Sequence, residues 1–333
     1  HSHQSLAAEI LQSGTTVIDE PKSGPPTGPF ALTGAPIGHY GGMLNAFLRP
    51  LMVNTKVHLL DQWDPAVVLK LMLEHDLIVN GGATFFLTSV LDHPDFTAEH
   101  LKRIPAVGLG GSPVPVAVTE RARDLGIMVF RAYGSTEHPS STGCAFTEPE
   151  EKRLKTDGKP LRGVDLRLDD EGQISTRGAE LFMGYTDPEL TAAVFDDEGW
   201  YRSGDVGVLD ADGFLAITDR VSDVIIRAGE NVSAQEVEEV FLTIDGVAEV
   251  AVVAAPDDRL GERVTAVFTM RGDASPPTLQ DVRAHVGDRG LSRQKWPEEL
   301  HHVQEFPRTA SGKIQKFRLR QQLRDGAIEH LVE

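Results

Sequence analysis

Amphipathic helical patterns alternate with short apolar runs through residues 1–135, and this alternation constrains the fold more than any other feature of the chain. Helical spacing predicts helices over 65–75 and 116–125, and apolar runs predict strands over 77–79, 104–109 and 127–131. Strands separated by helices of this length indicate parallel neighbours. The sequence therefore predicts part of a doubly wound, parallel α/β sheet.

From about Gly158 the pattern changes to short strands joined by turns. The predicted strands are 164–168, 172–175 and 207–209, and the turns between them include D-D-E-G and D-A-D-G. Such turns are typical of hairpins. We expect a small antiparallel β-barrel or sheet here.

A third pattern begins near Arg220. Ser233, with Glu236 three residues later, predicts a capping box at the start of a helix over 233–243. Further helices are predicted over 279–286 and 315–324, and strands over 249–255, 263–270 and 299–303. This order indicates a compact α+β domain.

The 333 residues exceed the size at which single cores stop growing, roughly 250–300 residues. We predict the later part of a large domain over 1–221, made of an α/β sheet (1–157) and an antiparallel β subdomain (158–221). A small, mobile α+β domain follows over 222–333.

The formal charge is −18, from 32 Lys and Arg against 50 Asp and Glu. Such a surface repels phosphate backbones, so we expect no nucleic-acid partner, and any anion must bind at a local site. No apolar stretch approaches the ~18 residues of a membrane span, and no signal-peptide pattern opens the chain. The lone Cys144 cannot form an internal disulfide and suits a reducing cytosol, which predicts a cytoplasmic protein with an inert thiol.

The segment Y-G-S-T-E, Tyr133 to Glu137, directly follows a predicted strand. A glycine turn at the carboxyl end of a parallel strand is where α/β sheets bind ligands. Its hydroxyl and N–H groups suit phosphate oxygens, and its carboxylate suits Mg²⁺. A helix N-cap with Glu137 in the first turn explains the five residues equally well.

The segment Gly110-Gly111-Ser112-Pro113 also follows a predicted strand. Paired glycines allow a flat ligand to approach the backbone closely. The third glycine of a dinucleotide fingerprint is missing, so these residues alone favour a simple turn.

The segment W-Y-R-S-G-D ends at Asp205, and Arg220 follows the next predicted hairpin. A carboxylate after a glycine turn suits a vicinal diol, and an arginine suits a ribose or phosphate. On their own, the two residues favour a surface ion pair.

The segment P-R-T-A-S-G-K ends at Lys313. It is not a Walker phosphate loop, because Pro307 occupies the place of the first glycine and Ile314 that of the Ser or Thr. We interpret it as a flexible loop that presents one lysine from the small domain.

In this order the four segments, with R-A-G-E-N-V over 227–232, resemble the adenylate-forming family of acyl-CoA synthetases, carrier-protein-loading adenylation domains and luciferases. The resemblance covers nearly the whole chain. It implies an AMP-forming acid–thiol ligase that uses ATP, Mg²⁺ and coenzyme A.

The resemblance also implies roles for single residues. Thr136 would contact phosphate and Glu137 would bind Mg²⁺. Asp205 and Arg220 would bind the ribose. The remaining nucleotide contacts, around adenine and in the adjoining turn, would come from Gly110, Gly111, Ser112, Pro113, Tyr133, Gly134 and Ser135.

For the other substrates, Lys313 would bridge the acid's carboxylate and the α-phosphate. His39, in G-H-Y-G-G, would line the acyl site, and residues 81–86 would border it. Arg227 to Gly229 would border the pantetheine tunnel.

The family moves its small domain between two half-reactions about a pivot two residues after the Arg220 equivalent. That pivot is usually Asp or Lys, and here it is Ser222. The family's Ser/Thr/Gly-rich phosphate loop, ending in P-K-G, would lie just before His1. We therefore expect residues 1–333 alone to be inactive.

Three alternatives remain open on the sequence. The acceptor thiol is either coenzyme A or a carrier protein, and the chain is either part of an active enzyme or a truncated paralogue that only binds nucleotide or a partner. The acid is undefined, although the glycines at 81, 82, 110, 111 and 134 favour a medium-chain or cyclic acyl group. A homodimer is a further hypothesis.

Overall fold

The computed structural model describes residues 1–14, 30–48, 50–51, 56–79, 81–328 and 331. The chain divides into two compact units. The first comprises His1–Ser203, Gly207–Ile217 and Ala310–Gly312, and the second comprises Gly204–Val206, Thr218–Thr309 and Lys313–Glu333. The predicted domain boundary between 221 and 222 stays a prediction.

The first unit begins with a parallel three-stranded sheet. Its elements are α1 (His3–Gly14), β1 (Phe30–Thr33), α2 (Tyr40–Met43) continued by a π-helical turn (Leu44–Leu48), β2 (Val57–Leu59), α3 (Pro65–Glu74) and β3 (Leu77–Val79). The strand order is β2-β1-β3, and β1 is parallel to both neighbours. Helix α3 begins where Asp64 accepts hydrogen bonds from the amides of residues 66 and 67, with a proline at its first position.

A second sheet of this unit carries the predicted helix–strand alternation. Its elements are β4 (Gly81–Gly82), α4 (Thr84–Leu91), α5 (Ala98–Leu101), β5 (Ala106–Gly110), α6 (Val116–Asp124), β6 (Met128–Tyr133), β7 (Thr142–Gly143), α7 (Glu150–Lys155) and β8 (Lys159–Pro160). The order is β4-β5-β6-β7-β8. Strands β4, β5 and β6 are parallel, whereas β7 and β8 are antiparallel additions. The predicted α/β class is confirmed.

Helices of the first unit pack against its strands, and the apolar side chains between them form one core. Met72, Leu77, Leu87, Val107 and Leu109 are fully buried in one cluster. Burial of this apolar surface is the main stabilising term.

The four strands that follow β8 form a sheet of order β12-β11-β10-β9. They are β9 (Asp165–Leu168), β10 (Gln173–Arg177), β11 (Tyr201–Leu209) and β12 (Leu215–Arg220), with helix α8 (Pro188–Val194) before β11. The sequence predicted a strand only over 207–209 and a glycine turn before Asp205, which is wrong. Strand β11 continues through Gly204, whose φ is +75°, because pairing with β10 and β12 overrides the local turn signal.

The second unit is α+β, as predicted. Its elements are β13 (Ile225–Arg227), β14 (Glu230–Val232), α9 (Ala234–Phe241), β15 (Val247–Asp257), β16 (Gly261–Met270), α10 (Leu279–Asp288), a 3₁₀ turn (Arg293–Lys295), β17 (Glu299–His302) and α11 (Lys316–Arg324). The order is β14-β13-β16-β15, and β17 pairs with β16 in parallel. Phe241 and Phe268 centre its apolar core.

Helix α9 has only half of its predicted capping box. Ser233 Oγ accepts from the Glu236 amide at 3.1 Å. The Glu236 carboxylate instead pairs with Lys295. A tertiary ion pair has replaced the return bond to the cap.

Candidate active site

Three predicted segments meet at one edge of the first unit because strands β4, β5 and β6 are parallel neighbours. Gly82 pairs with Leu109, and Gly110 pairs with Ala132. The carboxyl ends of the three strands therefore lie side by side. Residues 81–86, 110–113 and 133–137 leave the sheet at this shared edge.

Side-chain hydrogen bonds join the first two of these segments. The Thr84 amide donates to Ser112 Oγ at 3.3 Å, and the Thr84 hydroxyl donates to the Pro113 carbonyl at 3.0 Å. A β-carbon on Gly110 would lie 2.4 Å from the Ala132 carbonyl oxygen, so only glycine fits there. The G-G-S-P turn is thus packed against its neighbours rather than projecting freely.

The turn after β6 is closed by its own backbone. The Ser135 amide donates to the His138 carbonyl at 2.9 Å, and the His138 amide donates to Ser135 Oγ at 3.1 Å. A β-carbon on Gly134 would lie 1.6 Å from the Pro139 carbonyl oxygen. No helix begins at residues 134–141, so the alternative interpretation as an N-cap is wrong. Thr136 is exposed at the tip, and its carbonyl oxygen lies 2.7 Å from His1 Nε2.

One of the two oxygens of the Glu137 carboxylate accepts a hydrogen bond. Its Oε1 accepts from the Tyr185 hydroxyl at 2.7 Å, and its carbonyl accepts from the Phe182 amide at 2.8 Å. Among the contacts of the described residues, Oε2 has no hydrogen bond or ion pair. Mg²⁺ commonly takes one or two protein carboxylates, with phosphate oxygens and water completing its shell. Within the part of the chain that the structure describes, no group of three or more His, Cys, Asp and Glu side chains is arranged to hold a metal ion.

Beneath the same turn lies a buried polar pair that sequence reasoning missed. His138 Nδ1 lies 2.8 Å from Thr176 Oγ1, and its Nε2 lies 3.7 Å from Glu180 Oε2. Burial lowers the pKa of His138 to about 4 and raises the pKa of Glu180. Both shifts favour uncharged side chains. The 42-residue interval between the two positions carries no sequence signal for their contact.

His39 is the N-cap of α2, and its Nδ1 accepts from the Gly41 amide at 3.2 Å. This bond fixes the ring at the start of the helix. Its predicted acyl-site role stays a prediction.

The two predicted ribose ligands lie together. Arg220 Nε donates to Asp205 Oδ1 at 2.7 Å, and the Asp205 side chain is 10% exposed while that of Arg220 is 60% exposed. Both interpretations of the sequence, an ion pair and a ribose site, therefore stay open. The two residues form an ion pair, and the Arg220 side chain is still exposed to solvent. Both belong to the second unit.

Arg227 and Gly229 form the turn between β13 and β14. Ala228 and Gly229 have φ values of +51° and +84°, typical of a tight hairpin turn. The Arg227 guanidinium donates to both carboxylate oxygens of Glu298, at 2.8 and 2.9 Å, which raises the pKa of Arg227. The guanidinium is therefore anchored on Glu298, and the predicted role of this turn at the pantetheine tunnel stays a prediction.

Lys313 closes a small turn. The Thr309 amide donates to its carbonyl at 2.9 Å, and its own amide donates to Thr309 Oγ1 at 3.2 Å. An antiparallel bridge joins Arg308 and Ile314. The lysine is thus carried by a hydrogen-bonded turn.

With this geometry in place, comparisons with known proteins define the class. Residues 1–186 match the family model described as AMP-binding enzyme, and residues 236–313 match the model of the AMP-binding enzyme C-terminal domain. The chain belongs to the AMP-binding enzyme family. The predicted resemblance is confirmed.

One curated relative and two solved structures show what individual proteins the chain is similar to. The chain is 34% identical over 300 residues to a medium-chain fatty-acid–CoA ligase of Escherichia coli K12, covering 87% of this chain and 53% of that protein. It is similar to ATP-bound MatB from Rhodopseudomonas palustris, with a TM-score of 0.84 and 28% identity over 97% of this chain and 65% of the other. It is also similar to o-succinylbenzoate coenzyme A synthetase from Bacillus subtilis in complex with ATP and magnesium, with a TM-score of 0.76 and 28% identity over 97% and 66%. The chain spans about half the length of the curated relative.

Among the described helices, none combines the length and apolar character that crossing a membrane requires. The residue roles implied by the resemblance remain predictions.

Proposed function

We propose that the protein containing this chain activates a carboxylic acid with ATP as its acyl-AMP and transfers the acyl group to coenzyme A. The carrying observation is Glu137, which presents an unpaired carboxylate oxygen beside the exposed Thr136 at the carboxyl edge of a parallel sheet. The named ligase relative and the ATP-bound structural neighbour support this reading.

In the first half-reaction, an oxygen of the acid's carboxylate attacks the α-phosphorus of ATP. A new P–O bond forms, the bond to the bridging oxygen breaks, and pyrophosphate leaves. Two anions must approach each other, so the barrier is electrostatic. Glu137 would hold Mg²⁺, which offsets phosphate charge when bound, and Lys313 would place a cation between the carboxylate and the α-phosphate.

The proposal also assigns the residues that would contact the ribose, the phosphates and the adenine of ATP. Asp205 and Arg220 would bind the ribose hydroxyls, and Thr136 would donate to a phosphate oxygen. The turn over 110–113 and the end of β6 at Tyr133 would border adenine, since a Cβ on Gly111 would meet no atom within 4 Å, which leaves room for a flat base near the backbone.

In the second half-reaction, the thiol loses its proton to solvent and its sulfur attacks the acyl carbonyl carbon. The C–O bond to the phosphate breaks and AMP leaves. Lys313 would obstruct this attack if it stayed in place, so we propose that the small domain turns about Ser222 between the steps. The backbone of the Arg227–Gly229 turn would then border the pantetheine arm, while His39 and residues 81–86 border the acyl group.

The test uses the intact protein, meaning the natural polypeptide in which these 333 residues occur. ATP–pyrophosphate exchange is measured over a panel of medium-chain and cyclic carboxylic acids. Thioester is then assayed with coenzyme A and, separately, with a carrier protein. Absence of exchange with every acid contradicts the proposal, and thioester formation on the carrier protein alone replaces coenzyme A as the acceptor.

Localisation and assembly are also proposals. Cys144 is free and buried, which suits a reducing compartment, and we propose a cytoplasmic protein. A homodimer is proposed as well. Cell fractionation and light scattering of the intact protein test these two points.

A further inference from the structure

One segment, residues 180–185, crosses the turn that carries Glu137 and holds it at three points. The Phe182 amide donates to the Glu137 carbonyl at 2.8 Å, and the Tyr185 hydroxyl donates to Glu137 Oε1 at 2.7 Å. Behind them, Glu180 Oε2 lies 3.7 Å from His138 Nε2. Backbone and side chain of Glu137 are therefore both fixed from outside its own turn.

The Tyr185 hydroxyl is itself held in place. The Tyr185 ring packs edge-on against Phe182, with centroids 4.9 Å apart, and its amide donates to Thr191 Oγ1 at 2.8 Å. The buried Tyr201 also packs edge-on against Phe182, so the ring that carries the Tyr185 hydroxyl rests on an aromatic cluster. These contacts hold the hydroxyl against one oxygen of Glu137.

A phenol hydroxyl is a hydrogen-bond donor at neutral pH, and Oε1 of Glu137 is the acceptor. This hydrogen bond restricts rotation about the terminal bond of Glu137.

We propose that Tyr185 is a positioning residue for Glu137, holding Oε1 so that Oε2 is left in a fixed orientation for the divalent cation of a metal–ATP complex. This inference rests on the proposed function. Outer hydrogen bonds to a metal-binding carboxylate set its orientation and basicity, and their loss typically weakens metal binding about 10–100-fold. An unanchored glutamate would also lose side-chain entropy on binding the cation.

The test is Tyr185→Phe in the intact protein, with Mn²⁺ as the probe because its binding is followed by electron paramagnetic resonance. Phenylalanine keeps the ring packing and removes only the hydroxyl. We expect Mn²⁺ affinity in the presence of ATP to fall about tenfold. ATP affinity measured with a chelator present and the melting temperature should both stay near the wild-type values.

A double-mutant cycle with Glu137→Gln separates an effect that acts through the Glu137 carboxylate from a general loss of rigidity in the segment 180–185. If the hydroxyl acts through the carboxylate, Tyr185→Phe should change Mn²⁺ affinity little once Glu137 is already replaced. Full additivity, or wild-type Mn²⁺ affinity in Tyr185→Phe, would overturn the inference while leaving the proposed function intact. Failure of the wild-type protein to bind Mn²⁺ with ATP would overturn the proposed function and this inference with it.

Discussion

Asp205 in β11 and Arg220 in the neighbouring strand β12 form an ion pair in which Arg220 Nε lies 2.7 Å from Asp205 Oδ1. The Asp205 side chain is largely buried, and its hydrogen bond to Arg220 restricts the orientation of the carboxylate. The Arg220 side chain is mostly exposed. A carboxylate carries two acceptor oxygens, and we propose that Asp205 uses them toward the hydroxyls of a ribose.

Asp205→Asn should weaken ATP binding about tenfold, because a charged acceptor becomes a mixed donor and acceptor facing the diol. Affinity for the carboxylic acid should change little. Calorimetric titration of the intact protein measures both. Asp170→Asn, in an exposed turn, is the matched control, and unchanged ATP affinity in Asp205→Asn would remove the ribose assignment.

Lys313→Ala should lower acyl-AMP formation by roughly two to three orders of magnitude, the usual effect of removing a charge that stabilises a transition state. Thioester formation from supplied acyl-AMP should survive, because that step uses the other domain orientation. Exchange and thioesterification are assayed separately in the intact protein. Equal loss of both would mean that Lys313 supports the structure of its turn.

Glu137→Gln should raise the Mg²⁺ concentration needed for half-maximal exchange, because an anionic ligand is lost. ATP affinity without metal should remain close to wild type. Exchange rates measured across a Mg²⁺ series check this. A saturation curve identical to that of the wild type would exclude Glu137 as a metal ligand.

The ion pair between Arg131 and Asp157 should support the strand that leads to the Y-G-S-T-E turn. Both side chains are 5% exposed or less, with nitrogen–oxygen distances of 2.9–3.0 Å, and Asp157 Oδ2 also accepts from the Ile217 amide. Asp157→Ala should reduce the free energy of unfolding by about 3–5 kcal/mol, since it leaves a buried guanidinium unpaired.

The double variant Arg131→Met with Asp157→Leu removes both charges and serves as the control. It should cost less than Asp157→Ala alone, because no buried charge is then left without its counter-charge. Urea unfolding measures both variants. A larger loss in the double variant would show that packing, rather than charge, dominates this site.

The helix–strand alternation predicted much of the fold, because its signals are local. The strand over 77–79 and the helix over 279–286 appear as β3 and within α10, since apolar periodicity and capping act over a few residues. The order of the four motifs likewise predicted the family. The strand through Gly204 was missed, because pairing with neighbouring strands outweighed the glycine signal.

Sequence by itself determined the family and the residues that the proposed function uses: the hydroxyls, glycines and carboxylate of Tyr133 to Glu137, and the lysine at 313. Tertiary structure alone decided how those groups are held. Tyr185 reaches Glu137 across 48 residues, and Arg227 is anchored by Glu298 across 71. No local pattern encodes such contacts, because they form only when sheet pairing and core packing bring distant segments together.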